Sequence, residues 1–264
     1  MALTFIERCA VEDEGEGPAV VCVHGLGGSS NTFTPLMPAL ARHRVVRIDL
    51  PGSGRSFRAE GPLAMARYAD LVLSVCARLN VTRAQMVGHS MGNIVLQHVT
   101  VAAPKLVAGL ALFGPLIAPP DAARTTIRAR GEKAKAEGAA GMHEIALALL
   151  NASISADTRA RLPLAVAFVR ESLMRQDPDG YARSCFALAE APAAPVEQIE
   201  APLLLVTGDE DVVAPPQAVR AMAEKLHRAR SVRVVVLPKC GHWTPVERPE
   251  ECARELRSFL EANR

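Results

Sequence analysis

Neither sign of charge dominates this chain of 264 residues, in which 30 Lys and Arg face 28 Asp and Glu without a long run of either. A nucleic-acid partner, whose phosphates call for a concentrated basic surface, is not expected. Long apolar stretches are missing as well. No uninterrupted run approaches the roughly 18 residues of a membrane-crossing helix, so no membrane partner is expected either. Residues 1–12 lack a basic start running into an apolar segment and a small-residue cleavage site, which argues against a secretory signal. Cys9, Cys22, Cys76, Cys185, Cys240 and Cys252 form no close pair and no zinc-site spacing, and several sit inside apolar runs. A reducing, cytoplasmic setting and the absence of a metal site are the expectations. Internal repeats and low-complexity tracts are absent too.

What is present fits a globular chain with a large core. Hydrophobic residues make up 49% of the sequence and charged ones 22%, a balance far from that of disordered segments. Short apolar runs rich in β-branched residues recur at 19–23, 45–50, 84–87, 107–113, 203–207 and 232–237. Continuous rather than alternating apolarity marks strands buried on both faces. Helical patterns lie between them at 35–41, 65–79, 93–102, 217–226 and 249–260, so the expected architecture is a mostly parallel sheet with helices on both sides. Residues 3–12 add one or two antiparallel edge strands. Between Pro115 and Pro202 strand signals disappear, and helices are expected at 121–137, 142–150, 156–174 and 180–189. That stretch reads as a helical cap, residues 115–201, inserted into a core domain of residues 1–114 and 202–264.

The chemistry gathers at strand ends. Gly88-His89-Ser90-Met91-Gly92 directly follows the run at 84–87 and opens a helix, the context of a nucleophile elbow. By composition alone such a pentapeptide arises about one time in ten in a chain of this length, given Gly at ~7%; the strand-turn-helix setting is what makes it informative. A serine hydroxyl needs a base that titrates near neutral pH, which points to histidine. Among seven histidines, His242 follows the run at 232–237 and so sits at the edge where open α/β sheets place their sites. His89 is read as structural, its side chain directed away from the turn, and His24 as a brace for its loop. The base needs a carboxylate to orient it. Asp209 and Asp211 both follow the run at 203–207, and Asp211 is preferred because the nearer acid is suited to capping its own turn.

Attack on a carbonyl requires N–H donors for the oxyanion. The backbone N–H of Met91 is one, and the loop His24-Gly25-Leu26-Gly27-Gly28 offers Leu26, with Gly27 as the alternative. That loop has neither a dinucleotide fingerprint nor a Walker lysine. Asp49, in Asp49-Leu50-Pro51-Gly52-Ser53-Gly54-Arg55-Ser56, is assigned a structural role in a tight connection.

Together the HGLGG, DLPGSGRS, GHSMG, GDEDVV and GHW segments make the chain resemble the α/β-hydrolase superfamily over nearly its whole length. The resemblance implies an eight-stranded sheet, a cap over Ser90, and Asp211 as the third member of a Ser90–His242–Asp211 triad. The segment Asp177-Pro178-Asp179-Gly180-Tyr181-Ala182-Arg183-Ser184-Cys185 is similar to 3-oxoadipate enol-lactonases, whereas DLPGSGRS is closer to carboxylesterases. Asn93 stands where the family often has a further glycine.

The expected reaction is hydrolysis of a small, fairly apolar ester or lactone through an acyl-enzyme, with no cofactor. Carbon–carbon, thioester and perhydrolysis chemistry use the same triad and stay open, as does a ligand-sensing role. Phe33, Leu116, Phe168 and Trp243 are the candidate substrate contacts. Arg124, Arg128, Arg130, Lys133 and Lys135 place positive charge on one cap helix, read as a solvated face or as an attraction for a carboxylate-bearing substrate.

Overall fold

The computed structural model describes residues 2–57 and 61–263. Over these residues the chain forms an eight-stranded sheet in the order β1-β2-β4-β3-β5-β6-β7-β8, with β1 (Ala2–Ile6), β2 (Cys9–Glu14), β3 (Ala19–Val23), β4 (Arg44–Ile48), β5 (Ala84–His89), β6 (Val107–Phe113), β7 (Leu203–Gly208) and β8 (Val232–Leu237). The β1–β2 and β2–β4 pairings are antiparallel and the rest parallel. The opening stretch is therefore a hairpin. Its loop residues Glu7 and Arg8 take positive φ, 48° and 68°, as a tight two-residue connection demands.

The inner strands are apolar on both faces because both are covered. Val21 and Val23 of β3, Met86 of β5 and Leu203 of β7 pack on one side with Val72 of α1 (Met65–Arg78) and Ile94 of α2 (Met91–Ala102). Their neighbours Val20, Cys22, Val87 and Leu204 face the other side, against Leu36 and against Leu256 and Phe259 of a C-terminal helix. β8 differs from the expectation: it is an edge strand whose residues are mostly half-buried. Its apolar run reflects β propensity at a partly covered edge rather than burial on both faces.

The helix expected at 35–41 is instead a 3-10 segment, Ser30–Leu40, containing Pro35 and Pro38. Each proline removes a backbone donor, so a regular α-helix cannot run through. Between β6 and β7 lies the helical insert: α3 (Asp121–Ser153), α4 (Ala156–Arg161), α5 (Pro163–Met174) and α6 (Pro178–Ala189). α3 breaks at Gly138, φ 59° and ψ −132°, within the gap expected between two helices. The single helix expected at 156–174 is two, because Pro163 denies Leu162 the helical region and holds it at φ −121°, ψ 68°. Side-chain caps start α4 and α6: Ser155 Oγ accepts from Thr158 N at 3.1 Å and Asp177 Oδ1 from Gly180 N at 2.8 Å. After β7 come α7 (Pro216–Lys225), α8 (Thr244–Glu247) and α9 (Pro249–Ala262). No helix of the described residues is long and apolar enough to cross a membrane.

Candidate active site

β5 ends at His89 and α2 begins at Met91, leaving Ser90 alone in the turn with φ 52° and ψ −121°. A non-glycine residue at positive φ is held there only by its surroundings. The flanking glycines supply the room: a Cβ on Gly92 would lie 2.0 Å from Val23 O, and one on Gly88 would lie 2.4 Å from Asn93 Oδ1. Asn93, the departure from the usual glycine, is fully buried and donates through Nδ2 to Phe113 O and Gly114 O, at 2.8 and 3.1 Å. It ties the elbow to the end of β6.

The loop after β8 brings His242 to this turn. His242 Nε2 lies 2.8 Å from Ser90 Oγ, and Nδ1 lies 2.9 Å from Asp211 Oδ2. Because the Asp211 carboxylate only accepts, Nδ1 is the donor to it, which leaves Nε2 as the acceptor for the Ser90 hydroxyl. Asp211 is 2% exposed, and its other oxygen accepts from Val213 N and Ala214 N at 2.8 Å each. Burial alone would raise its pKa, but the facing His242 and these donors hold it below the usual carboxylate value. Asp209 instead accepts from Cys240 N at 3.1 Å and caps the neighbouring loop.

Room for the imidazole comes from Gly114, whose positive φ of 56° follows β6; a Cβ there would sit 2.8 Å from His242 Cε1. Glu247 steadies the same loop from below. Buried to 1% exposure, it accepts from Gly241 N and Trp243 N on either side of His242 and from Ser155 N of the insert, all at 2.9–3.0 Å. The backbone N–H of His242 donates to Ser153 O at 2.7 Å, so the end of α3 also fixes it.

The glycine loop closes the other side. Gly28 N donates to Gly25 O at 3.0 Å, and Gly27 at φ 75° supplies the positive φ that a type II turn needs in its third position. A Cβ on Gly25 would be 2.7 Å from Ser90 Cβ, so this loop lies directly against the elbow. His24 braces it: Leu50 N donates to Nε2 at 2.9 Å, which leaves Nδ1 to donate to Gly25 O at 2.7 Å. Gln176, in the α5–α6 connection, donates through Nε2 to Gly27 O and Gly28 O at 3.2 Å each, and Ser172 Oγ donates to Gly27 O at 2.8 Å. Leu26 lines the cavity beside Ser90, and Met91 stands in the first turn of α2, where N–H groups have no helical acceptor. Asp49 is fully buried and accepts from Ser30 N at 2.7 Å and from Arg55 N and Nε at 2.9 Å each, a cluster that holds its own loop.

Ser90 and His242 open into a cavity of about 290 Å³, walled by Leu26, Leu116, Ile127, Tyr181, Leu188 and Trp243 among others. No cluster of three His, Cys, Asp or Glu able to hold a metal ion occurs among the described residues.

Residues 20–255 match the model of the alpha/beta hydrolase family. The chain belongs to that family. It superposes on a thermophilic esterase from Thermogutta terrifontis with a TM-score of 0.89 at 27% identity, covering 96% of this chain and 93% of the other. An enol-lactonase from Burkholderia xenovorans LB400 gives 0.88 at 26% identity, over 98% and 100%. In sequence it is 24% identical to the (E)-2-((N-methylformamido)methylene)succinate hydrolase of Acinetobacter baylyi, over 94% of this chain and 92% of that one.

Leu116 and Trp243 line the cavity of this alpha/beta hydrolase, but Phe33 and Phe168 do not. Phe33, itself in the 3-10 segment, is buried with Val20, Cys22 and Leu36, a core position. Phe168 faces a separate groove with Asp49 and Arg55. α5 turns Val169 and Leu173, four residues apart, into the core, and Phe168 one residue earlier points about 100° away from them. His89 also departs from expectation: its ring reaches the cavity, 5.3 Å from that of His242 and 5.2 Å from that of Trp243. Its Nε2 lies 3.0 Å from His242 O and must donate to it. Burial, with the neighbouring His242, pushes its pKa down to about 3 and keeps the ring neutral.

Gly114, Ser153, Gln176 and Glu247 are support residues that pattern reading missed. Only Glu247 carried a usable signal, an acid shortly after Gly241-His242-Trp243 at the start of a helical run.

Proposed function

We propose that this hydrolase cleaves small carboxylic esters or lactones through an acyl-enzyme formed on Ser90. The observation that carries this reading is the unbroken relay from Ser90 Oγ to His242 Nε2, 2.8 Å, and from His242 Nδ1 to Asp211, 2.9 Å, opening into an apolar cavity. Ser90 Oγ attacks the carbonyl while His242 takes its proton, and Asp211 stabilises the imidazolium. The backbone N–H groups of Leu26 and Met91 receive the oxyanion. His242 then protonates the leaving alkoxide, and a water deprotonated by His242 releases the acid. Side chains supply the base and the nucleophile and the backbone supplies the oxyanion donors, so the reaction requires no cofactor.

The insert, residues 115–201, acts as a cap: it roofs the cavity and clamps the glycine loop through Ser172 and Gln176. Leu116 and Trp243 are proposed as substrate contacts. The likeness to an esterase and an enol-lactonase supports ester or lactone substrates. All six cysteines are buried and unpaired, which supports a reducing, cytoplasmic setting.

The test is release of p-nitrophenol from acetate and butyrate esters. Wild type is expected to turn them over and Ser90→Ala to lose at least about 10³-fold in kcat/KM; equal rates in the two proteins would remove the hydrolytic reading.

A further inference from the structure

The basic residues on the first half of α3 differ in how their charge is met. Arg124 donates to Ala189 O and Ala191 O at 2.6 and 3.0 Å, Arg128 pairs with Glu190, and Lys133 pairs with Glu137 and Glu144 at 2.8 and 2.7 Å. Lys135 is exposed. Arg130 lies instead in the wall of the Ser90 cavity. The helical period explains why: Ala123, Thr126, Ile127 and Arg130, spaced i, i+3, i+4 and i+7, share the cavity face.

Arg130 Nε is buried with no acceptor, and among the described residues no carboxylate pairs with this guanidinium. Beside it, Tyr181 is 1% exposed and lines the same cavity, and its hydroxyl makes no well-formed hydrogen bond, having the Arg130 guanidinium and the Cys185 thiol as its polar neighbours. Burial pushes the Tyr181 and Cys185 groups up while the Arg130 charge pulls them down, which places the three together. A guanidinium cannot shed its proton, so a half-buried one with its Nε closed off from water is best met by an anion. A planar fork of N–H donors beside a phenolic O–H matches the two oxygens of a carboxylate.

We infer that Arg130 and Tyr181 form a carboxylate-binding subsite in the Ser90 cavity, selecting esters or lactones whose acyl part carries a second, free carboxylate. This rests on the hydrolytic reading for the chemistry at Ser90, but not for the binding itself. Leu26, Leu116, Ile127 and Leu188 form the wall with these two polar groups, so the linker between carboxylate and reacting carbonyl is hydrocarbon. A volume of about 290 Å³ limits it to a short chain.

Two measurements test this. In the first, wild type, Arg130→Met, Arg130→Lys and Tyr181→Phe hydrolyse monomethyl glutarate and the length-matched neutral ester methyl valerate. The ratio of kcat/KM between the two esters should fall about 30-fold in Arg130→Met, through KM, and by less in Arg130→Lys and Tyr181→Phe. An unchanged ratio overturns the subsite. In the second, glutarate is titrated calorimetrically into folded Ser90→Ala and Ser90→Ala/Arg130→Met. Kd should weaken about 30-fold in the double variant; equal affinity, or no binding to Ser90→Ala, overturns the subsite. Arg130-dependent glutarate binding in a protein that hydrolyses neither these esters nor the p-nitrophenyl esters would instead sink the hydrolytic reading and leave the subsite standing.

Discussion

The floor and the roof of the cavity treat their polar groups differently. On the floor, built from strand-end loops, Asp211 and Glu247 are each met by several donors fixed before any ligand arrives. On the roof, built from α3 and α6, Arg130 Nε has no acceptor and the buried Tyr181 hydroxyl makes no well-formed hydrogen bond, with no carboxylate beside either among the described residues. The floor is preorganised for a reaction, with Ser153 O and Ser155 N of the insert adding two of its fixed contacts. The roof is completed by what enters, and that division separates what the enzyme does from what it does it to.

Breaking the floor should have the larger effect and should ignore substrate charge. Asp211→Asn keeps the shape but lets the amide favour the wrong His242 tautomer, and kcat/KM should drop by roughly 10⁴ for charged and neutral esters alike. Steady-state assays on the two glutarate and valerate esters check this; a loss confined to the charged ester would collapse the distinction between floor and roof. The clamp between the two regions comes next. Gln176→Leu removes donors to Gly27 O and Gly28 O and should lower kcat about 10-fold with little change in KM, because oxyanion alignment matters in the transition state. A change in KM alone would mean that Gln176 shapes the pocket instead.

The smallest effect concerns stability. His89 titrates at about 3 when folded, against about 6.5 in an unfolded chain. Below pH 6.5 the unfolded state binds a proton that the native state refuses, so this residue makes stability fall with decreasing pH down to about 3. Its contribution is about 1.4 kcal/mol per pH unit within that window. Urea unfolding of His89→Leu between pH 4 and 6 should show a shallower slope by about that amount, and an identical slope would mean that His89 is protonated in the native protein.

Legibility in the sequence followed distance along the chain. Ser90, Asp211 and His242 each lie just past an apolar β-rich run, so the run locates the strand and the strand's end locates the residue. The hairpin at the start, the inserted helices and the parallel inner strands were readable for the same reason, since periodicity is a local property. Breaks set by geometry were harder. Pro163 splitting α4 from α5 was visible as a letter but was outweighed by the helical pattern around it, and β8 looks buried by composition although it ends the sheet.

Substrate contacts were the least legible part. Phe33 and Phe168 are as apolar and aromatic as a pocket residue should be, yet the first is core and the second faces another groove. Arg130 was one of five basic residues on a helix, indistinguishable from Arg128 until Glu190, 62 positions away, is seen to pair with the latter.

The amino-acid order alone determined the alternation of strands and helices, and the placing of a serine, an acid and a histidine at three strand ends. Tertiary structure decided which side chains share the space above them: Gly114 making room for an imidazole, Glu247 holding its loop, Arg130 left without a counter-charge. Strand and helix periods are written within a few residues, whereas the rotation of a helix against its neighbours is settled by packing between segments far apart in the chain.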